Sequence, residues 1–201
     1  MHLISVQKPQ QRVLTREDVK TQARIETTYY DDLVDKLILA AEQRLDGPRG
    51  LLGRALRPQT WRMEMVDWPS NRCIEIPLPP LIAVTAITYL DTSGTEQTLS
   101  TSLYRVIDLD ESPSLVVPQI NSTSWPAVAV GEPDAVRVLF DAGYRSEDSP
   151  ENEAIPEPIR EAAIVVAHAL YDDPDYEGIP KVAEQLVAPY RIDRLGASYE
   201  Y

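Results

Sequence analysis

Apolar and polar positions alternate through the middle of the chain with the period of two that is typical of strands with one buried face. The stretch Ile74–Ile76 alternates and ends at a proline, and Pro79-Pro80 offers no N–H groups to a neighbouring strand. The run Leu81–Leu90 is rich in β-branched and aromatic residues, and the Asp-Thr-Ser-Gly sequence at 91–94 is typical of a hairpin turn. The pattern therefore predicts a β-meander over residues 74–99.

Four further segments show the same alternation and are predicted to be strands of the same antiparallel β region. They cover residues 60–66, 104–107, 114–117 and 136–140.

Before this β region, apolar positions recur every three to four residues, which predicts helices. Thr15, followed three residues later by an acidic residue, resembles a capping box and predicts a helix over residues 16–24. Thr28, followed by an acidic pair, is expected to open a second helix that ends at Leu45. The apolar stripe of this second helix should pack on the sheet and consists of Leu33, Val34, Leu37, Ile38, Ala41 and Leu45.

The most apolar helical segment covers residues 159–170 and follows Pro158, a residue type that suits the first helical position. A helix that is apolar on nearly all sides must be covered by its own sheet or by a neighbouring subunit. A short last helix is predicted over residues 181–188, because Pro189 ends it.

These elements predict an α+β fold in which N-terminal helices and a C-terminal helix pack with an antiparallel β-meander or sandwich. A chain of 201 residues is expected to form one domain. We expect that domain over residues 1–189, with helices over about 15–46 and 156–189 and the β region over about 58–141. Residues 190–201 then form a tail.

The net charge of −13 is unevenly distributed along the chain. Residues 1–60 carry +2, residues 61–130 carry −5, and residues 131–201 carry −10. A surface this acidic repels phosphate groups, which argues against nucleic-acid binding through a basic patch. A solubilising surface is the plain alternative.

The cysteine count and the lengths of the apolar stretches indicate the cellular compartment. Cys73 is the only cysteine, which excludes an intramolecular disulfide and a cysteine-based zinc cluster and fits a reducing compartment. The first nine residues lack the apolar core of a signal peptide. The longest nearly unbroken apolar stretch, 162–170, is far shorter than the roughly 18 residues that a membrane-spanning helix needs. We expect a soluble protein that is not exported by that route and has no membrane partner.

The residue types that usually carry catalysis have structural explanations in this sequence. His168 lies in the most apolar helix, where a hydrogen-bonded structural histidine is favoured. Cys73 begins a strand with no histidine nearby in sequence and is expected to be a buried thiol. Asp91 lies in a sequence similar to an aspartic-protease loop, but a hairpin turn explains it. Because phosphate loops, nucleophile elbows and His-Glu-x-x-His stretches are also missing, the sequence favours a non-enzymatic protein without a cofactor.

Two carboxylate clusters are candidates for a metal site or for an interface. Neither has the spacing of a calcium loop. The second cluster follows a helix, where the helix dipole disfavours anions, so either an interface or a solvated acidic loop is expected there. The first cluster contains Asp108, Asp110 and Glu111, and the second contains Asp172, Asp173 and Asp175.

The tail mixes cations with bulky side chains, a composition that suits docking on a partner. A frayed terminus is the alternative. The candidate partner-binding residues are Tyr190, Arg191, Ile192, Arg194, Leu195, Tyr199 and Tyr201.

Taken in order, motifs along nearly the whole chain resemble those of the head-tail connector proteins (adaptor or head-completion proteins) of long-tailed phages and gene transfer agents. The matching pieces include the acidic helix before Leu45, Gly53-Arg54-Ala55-Leu56, Gln59-Thr60-Trp61, Pro79-Pro80-Leu81, Tyr104-Arg105-Val106, Ser124-Trp125-Pro126, Ala142-Gly143-Tyr144, Ile155-Pro156-Glu157-Pro158 and Leu186-Val187-Ala188-Pro189-Tyr190-Arg191.

The resemblance implies a non-enzymatic ring, with a dodecamer expected, that binds beneath the portal protein and prolongs the DNA channel. Its tail side would meet a stopper or tail terminator protein, and DNA would pass through without specific binding. Such a protein is cytoplasmic during assembly and then lies at the head-tail interface of a phage virion or gene transfer agent particle. The apolar helix and the stripe ending at Leu45 would supply the core and subunit contacts. The residues after His168 depart from the family pattern, which has a more aromatic helix end.

In such a ring, carboxylates lining the channel would keep DNA from adhering, so we expect some of the six clustered carboxylates to face the lumen or a basic neighbour. The tail from Tyr190 is expected to hold the portal, and deleting everything after Pro189 should abolish that binding while leaving the fold intact. Two alternatives remain open, a metal-dependent hydrolase that uses the carboxylate clusters and a small-molecule-binding β-sandwich. Metal-stimulated turnover that depends on Asp108 and Asp110 would favour the first, and a monomer with a deep apolar pocket would favour the second.

Overall fold

The structure, a computed structural model, describes residues 1–107, 113–120, 124–145 and 154–192. It has the predicted α+β class. The described residues divide into two compact units, a sheet unit from 1–8 and 58–143 and a helical unit from 9–57 and 144–192. The predicted single domain over residues 1–189 stays a prediction.

The strands of the sheet unit form two antiparallel sheets among the described residues. The larger sheet has the order β1-β2-β8-β4-β5, and the smaller has the order β3-β7-β6. The strands are β1 (His2–Gln7), β2 (Gln59–Met65), β3 (Ile74–Ile76), β4 (Leu81–Leu90), β5 (Glu96–Thr98), β6 (Tyr104–Ile107), β7 (Ser114–Pro118) and β8 (Val136–Ala142).

The larger sheet buries one face because its central strands alternate strictly. Every second residue of β2 and of β8 is buried. In the β2–β8 pair Trp61 lies opposite Phe140, and Met63 lies opposite Val138. Strand β4 continues this apolar layer, with the fully buried Ile87 opposite Val138. Cross-strand apolar pairs of this kind are what stabilise a sheet.

The predicted meander over residues 74–99 is wrong in one strand. Strands β4 and β5 form the predicted hairpin, whose turn contains Gly94 at φ +78°. Strand β3 instead belongs to the smaller sheet, where Ile74 lies opposite Val116 of β7. The prolines at 79 and 80 separate β3 from β4, so the two strands do not continue one ladder.

The helical unit contains four α-helices among the described residues, and each begins and ends within about two residues of its predicted bounds. The starts of two helices differ from the prediction. Thr27, rather than Thr28, caps a 3₁₀ turn before the second helix by accepting the N–H of Tyr29. Glu157, rather than Pro158, begins the third helix. The helices are α1 (Arg16–Ala23), α2 (Asp31–Leu45), α3 (Glu157–Asp172) and α4 (Lys181–Val187).

The helices of this unit build their own core. Helix α3 packs against α1, α2 and α4, so other helices of the same chain cover its apolar surface. The apolar stripe of α2 was expected to pack on the sheet, and this expectation is wrong. The buried residues of α2 lie in one hydrophobic cluster with those of α3. Leu33, expected in that stripe, is instead 42% exposed.

The cap of α1 should contribute measurably to stability. Thr15 Oγ1 accepts the N–H of Asp18, and the Asp18 carboxylate accepts the N–H of Thr15 at 2.7 Å. Because Val19 of α1 is fully buried in the helical core, fraying of this helix weakens the unit. We expect Thr15→Ala to lower the free energy of unfolding by about 1 kcal/mol. Urea denaturation measures it, with Thr15→Ser as the control that keeps the cap. An equal loss in both variants would contradict the capping role.

Candidate partner-binding surfaces

The predicted docking tail begins on the helical unit. A 3₁₀ turn, Ala188–Tyr190, follows α4, and Tyr190 packs half-buried against the helical core. The N–H of Ile192 donates to the carbonyl oxygen of Leu52 at 3.0 Å, while Arg191 is exposed. The start of the tail is therefore attached to the unit. The remaining candidate residues, Arg194, Leu195, Tyr199 and Tyr201, lie outside the described residues.

Arg54 connects this segment to the interior. It is 2% exposed, and its Nε donates to the carbonyl oxygen of Tyr190 at 2.5 Å. One Nη lies 3.5 Å from the hydroxyl oxygen of Tyr144. The loop that holds Arg54 closes where the N–H of Gly47, at φ +77°, donates to the Arg54 carbonyl oxygen at 2.7 Å. Sequence reasoning included Arg54 only as part of a motif. The available signal was a single cation inside an otherwise apolar segment, which requires a buried acceptor.

The acidic residues after α3 lie close together at the end of that helix. Asp172 Oδ2 lies 3.2 Å from Nδ1 of His168, one helical turn earlier, a pair that is attractive when the histidine is protonated. Asp173 Oδ1 accepts the N–H of Asp175 at 3.1 Å. All three carboxylates are exposed. The hydrogen bond from the Asp175 N–H therefore stabilises the turn that follows the helix.

An open cleft of about 700 Å³ adjoins this acidic segment within the helical unit. Arg44 of α2 forms one wall and donates to the carbonyl oxygens of Tyr176 at 2.8 Å and Gly178 at 2.6 Å. These bonds fix the segment after α3 against the end of α2. The mixed lining differs from the deep apolar pocket expected of a small-molecule-binding domain. Its other residues include the apolar Leu51 and Ile179 and the charged Arg49, Asp175 and Glu177.

The first carboxylate cluster, Asp108, Asp110 and Glu111, lies outside the described residues. In the part of the chain that is described, no group of three or more histidine, cysteine, aspartate or glutamate side chains is placed to hold a metal ion. The role of the first cluster stays a prediction.

Asp91 and Cys73 have surroundings that explain them structurally. Asp91 Oδ1 accepts the N–H groups of Ser93 and Thr95 at 2.9 and 3.0 Å. Hydrogen bonds from the Ser93 hydroxyl and from these amides lower the pKa of Asp91 to about 2. The carboxylate therefore stabilises the hairpin turn. Cys73 lies just before β3, and partial burial, with Glu75 nearby, raises the pKa of its thiol. A raised pKa disfavours the reactive thiolate.

Glu42 of α2 is a buried carboxylate that sequence reasoning missed. It is 7% exposed, and its Oε1 accepts the N–H groups of Val13 at 2.5 Å and Leu14 at 3.3 Å. Its Oε2 lies 3.4 Å from Nη1 of Arg12. Burial raises the pKa of Glu42 above its ordinary value in spite of these bonds. The available signal was its position one turn before the buried Leu45, on the apolar side of the helix.

Exposed aromatic side chains lie at the start of α2. Tyr29 is 83% exposed, and its ring meets that of Tyr30 edge to face with 5.1 Å between centroids. Leu33 follows one turn later on the same exposed side of the helix. Exposed apolar groups that adjoin one another are typical of protein-protein contacts.

A second aromatic group lies in the sheet unit. The rings of Trp68 and Trp125 stack with 4.8 Å between centroids, and Tyr89 lies 5.9 Å from Trp68. The Nε1–H of Trp68 donates to the carbonyl oxygen of Pro126 at 2.8 Å. In the same loop Val130 is 99% exposed, so this stack anchors a loop that presents an apolar side chain to solvent.

Across the described helices, none combines the length and the apolar character needed to cross a lipid bilayer.

No protein-family model and no curated protein matches the chain. Solved structures do match it. A chain from the virion of a native gene transfer agent particle has a TM-score of 0.70 at 20% identity, with 98% of this chain and 99% of that chain covered. A chain from the neck of an empty gene transfer agent particle, computed with C6 symmetry, has a TM-score of 0.65 at 21% identity and the same coverage. A chain from the neck of the native particle, computed with C12 symmetry, has 0.65 at 20% identity, again with the same coverage. The chain therefore shares the fold of these particle proteins over almost its full length.

Proposed function

We propose that this chain is a structural head-tail connector, or adaptor, of a phage or gene transfer agent particle. It forms a ring beneath the portal protein, extends the DNA channel and joins the capsid to a tail-side stopper or tail terminator protein. The observation that carries this proposal is the likeness of fold, over 98% of the chain, to chains from a virion and from particle necks. The order of motifs along the sequence supports it separately.

The ring is proposed to contain twelve copies. The neck neighbours come from assemblies computed with C6 and with C12 symmetry, which a closed ring of twelve would satisfy. Such a ring is built from head-to-tail contacts that close by rotation, and each copy needs an exposed apolar surface for them. Tyr29, Tyr30 and Leu33 offer such a surface on the helical unit, and we propose that it meets a second copy of this chain.

The negative net charge of the chain would have a function in such a ring. Many copies, each carrying −13, would repel the phosphates of passing DNA and keep it from adhering. Among the described candidates, Asp172 and Asp173 already have the local partners His168 and Asp175, while the exposed Asp175 carboxylate lines the open cleft. We propose that Asp175, together with members of the first cluster, faces the lumen or a basic neighbour. A ring structure with Asp175 and the whole first cluster on the outer rim, touching nothing, would contradict this.

The proposed role needs no catalysis and no cofactor. The protein would be cytoplasmic during assembly and then part of the particle at the head-tail interface. The competing metal-dependent hydrolase makes a different prediction, because divalent metals should then stimulate turnover and changing Asp108 and Asp110 to Asn should remove it. The connector role predicts no such turnover.

Mass photometry of the chain mixed with the purified portal of the same particle tests the proposal. We expect the portal peak to shift by the mass of twelve chains of 22.6 kDa. An unchanged portal peak at saturating concentrations would contradict the connector role. An added mass that corresponds to a number of chains other than twelve would contradict the proposed twelve-membered ring.

A further inference from the structure

We infer that Arg54 is a positioning residue that fixes the point and the direction in which the tail leaves the helical unit, so that the tail is held ready for its partner. This inference rests on the proposed function, in which the tail from Tyr190 binds the portal.

Arg54 places a guanidinium group in the interior of the helical unit. Arginine stays charged and offers five N–H donors in a rigid planar fork, so burying it is costly unless those donors meet acceptors. Arg54 is 2% exposed, and its Nε donates to the backbone carbonyl of Tyr190. Because the acceptor is a main-chain atom, the contact holds the path of the chain and does not depend on which side chain stands at position 190.

The start of the tail contacts the loop at two positions. Tyr190 meets Arg54, and two residues later the N–H of Ile192 meets the carbonyl oxygen of Leu52, two residues earlier in the loop. The chain is therefore held at two points, two residues apart. One contact alone would permit rotation, whereas two contacts on successive alternate residues fix the direction of the tail as well as its starting point.

Anchoring the start of the tail should favour its docking. A segment anchored before binding loses less conformational entropy on docking than a free one. In a ring, identical anchors would also present all tails in the same orientation, which raises the effective concentration of each tail once another has bound.

The experiment compares Arg54→Ala and Arg54→Lys with Arg137→Ala, a control arginine of the sheet unit whose Nη2 donates to Asp134 Oδ2 at 2.7 Å. Hydrogen exchange at the Ile192 amide reports the anchor, and biolayer interferometry reports portal affinity, both well below the unfolding temperature. For Arg54→Ala we expect Ile192 exchange to accelerate roughly tenfold or more and portal affinity to fall roughly tenfold or more. Arg54→Lys, which keeps a cationic donor, should restore part of both, and Arg137→Ala should change neither.

A second variant keeps the test valid if Arg54→Ala fails to fold. Ile192→Pro removes the N–H that donates to Leu52 and leaves Arg54 in place, so it should also weaken portal binding.

The outcomes separate the inference from the function on which it rests. Unchanged Ile192 exchange in Arg54→Ala would overturn the anchor. Faster exchange with unchanged portal affinity would overturn the positioning role, while the proposed docking would stand. If a chain ending at Ile192 binds the portal as tightly as the full chain, the proposed docking itself fails.

Discussion

A chain that ends at Ile192 is expected to keep its fold and to lose portal binding. The residues it lacks, 193–201, include Arg194, Leu195, Tyr199 and Tyr201, the bulky and cationic groups predicted to dock. Aromatic and arginine side chains dominate the binding energy of protein contacts, so their loss should reduce portal affinity below detection. Co-sedimentation with the purified portal measures the binding, and thermal unfolding measures the fold. Undiminished binding by the shortened chain would contradict the docking role of the tail.

The structure changes where this truncation should be made. From the sequence alone the boundary lies after Pro189, but Tyr190 and Ile192 contact the helical unit. A chain ending at Pro189 leaves the buried Arg54 without the carbonyl of Tyr190, which should cost about 1–3 kcal/mol of unfolding free energy. We therefore expect the shorter chain to lose stability as well as binding, and the chain ending at Ile192 to lose binding alone.

Replacing Glu42 by Ala is expected to be among the most destabilising single changes in the helical unit. The substitution leaves the buried N–H groups of Val13 and Leu14 without their acceptor. We expect a loss of about 2–4 kcal/mol in the free energy of unfolding, measured by urea denaturation. Glu42→Gln keeps an oxygen acceptor and should lie close to wild type. Glu161→Ala, which removes an exposed carboxylate of α3, should change stability by less than about 0.5 kcal/mol.

The pH dependence of the Glu42→Gln variant gives a second readout. Burial raises the pKa of Glu42, so the folded chain binds this proton more tightly than the unfolded chain does. The contribution of Glu42 to stability is therefore fully present below its unfolded pKa of about 4.5 and is lost as the pH rises through the folded pKa. Because Gln cannot ionise, the stability of the variant relative to that of wild type should increase as the pH rises above about 4.5. A relative loss over that range would show that the hydrogen bonds outweigh burial.

The elements that local patterns specify were predicted well. Helix α1 begins where the capping box places it, and β8 alternates as its sequence does, because capping and one-sided burial act over a few residues. Strand β1 was missed because only Leu3 is buried in it while Val6 is exposed, which leaves no clear alternation. The partner of β3 was also missed, since pairing with the distant β7 depends on tertiary contacts that periodicity does not encode.

The contacts at the candidate sites were missed for the same reason, because they join residues that are far apart in sequence. An apolar stripe on α2 predicts burial but not its partner, and the partner proved to be α3. The tail was recognised from its composition, yet its anchor joins positions far apart in sequence, Arg54 and Tyr190. Glu42 was passed over because a glutamate on an amphipathic helix is usually solvated. Its burial depends on the backbone before α1, whose N–H groups donate to it across about 30 residues of sequence.

Cryo-electron microscopy of the full chain bound to its portal examines the connector role most directly. We expect a ring of twelve copies on the tail side of the portal, with Tyr29 and Leu33 buried between neighbouring copies and residues 190–201 of each copy against the portal. A portal without added density, or with single copies that do not contact one another, would contradict the connector role.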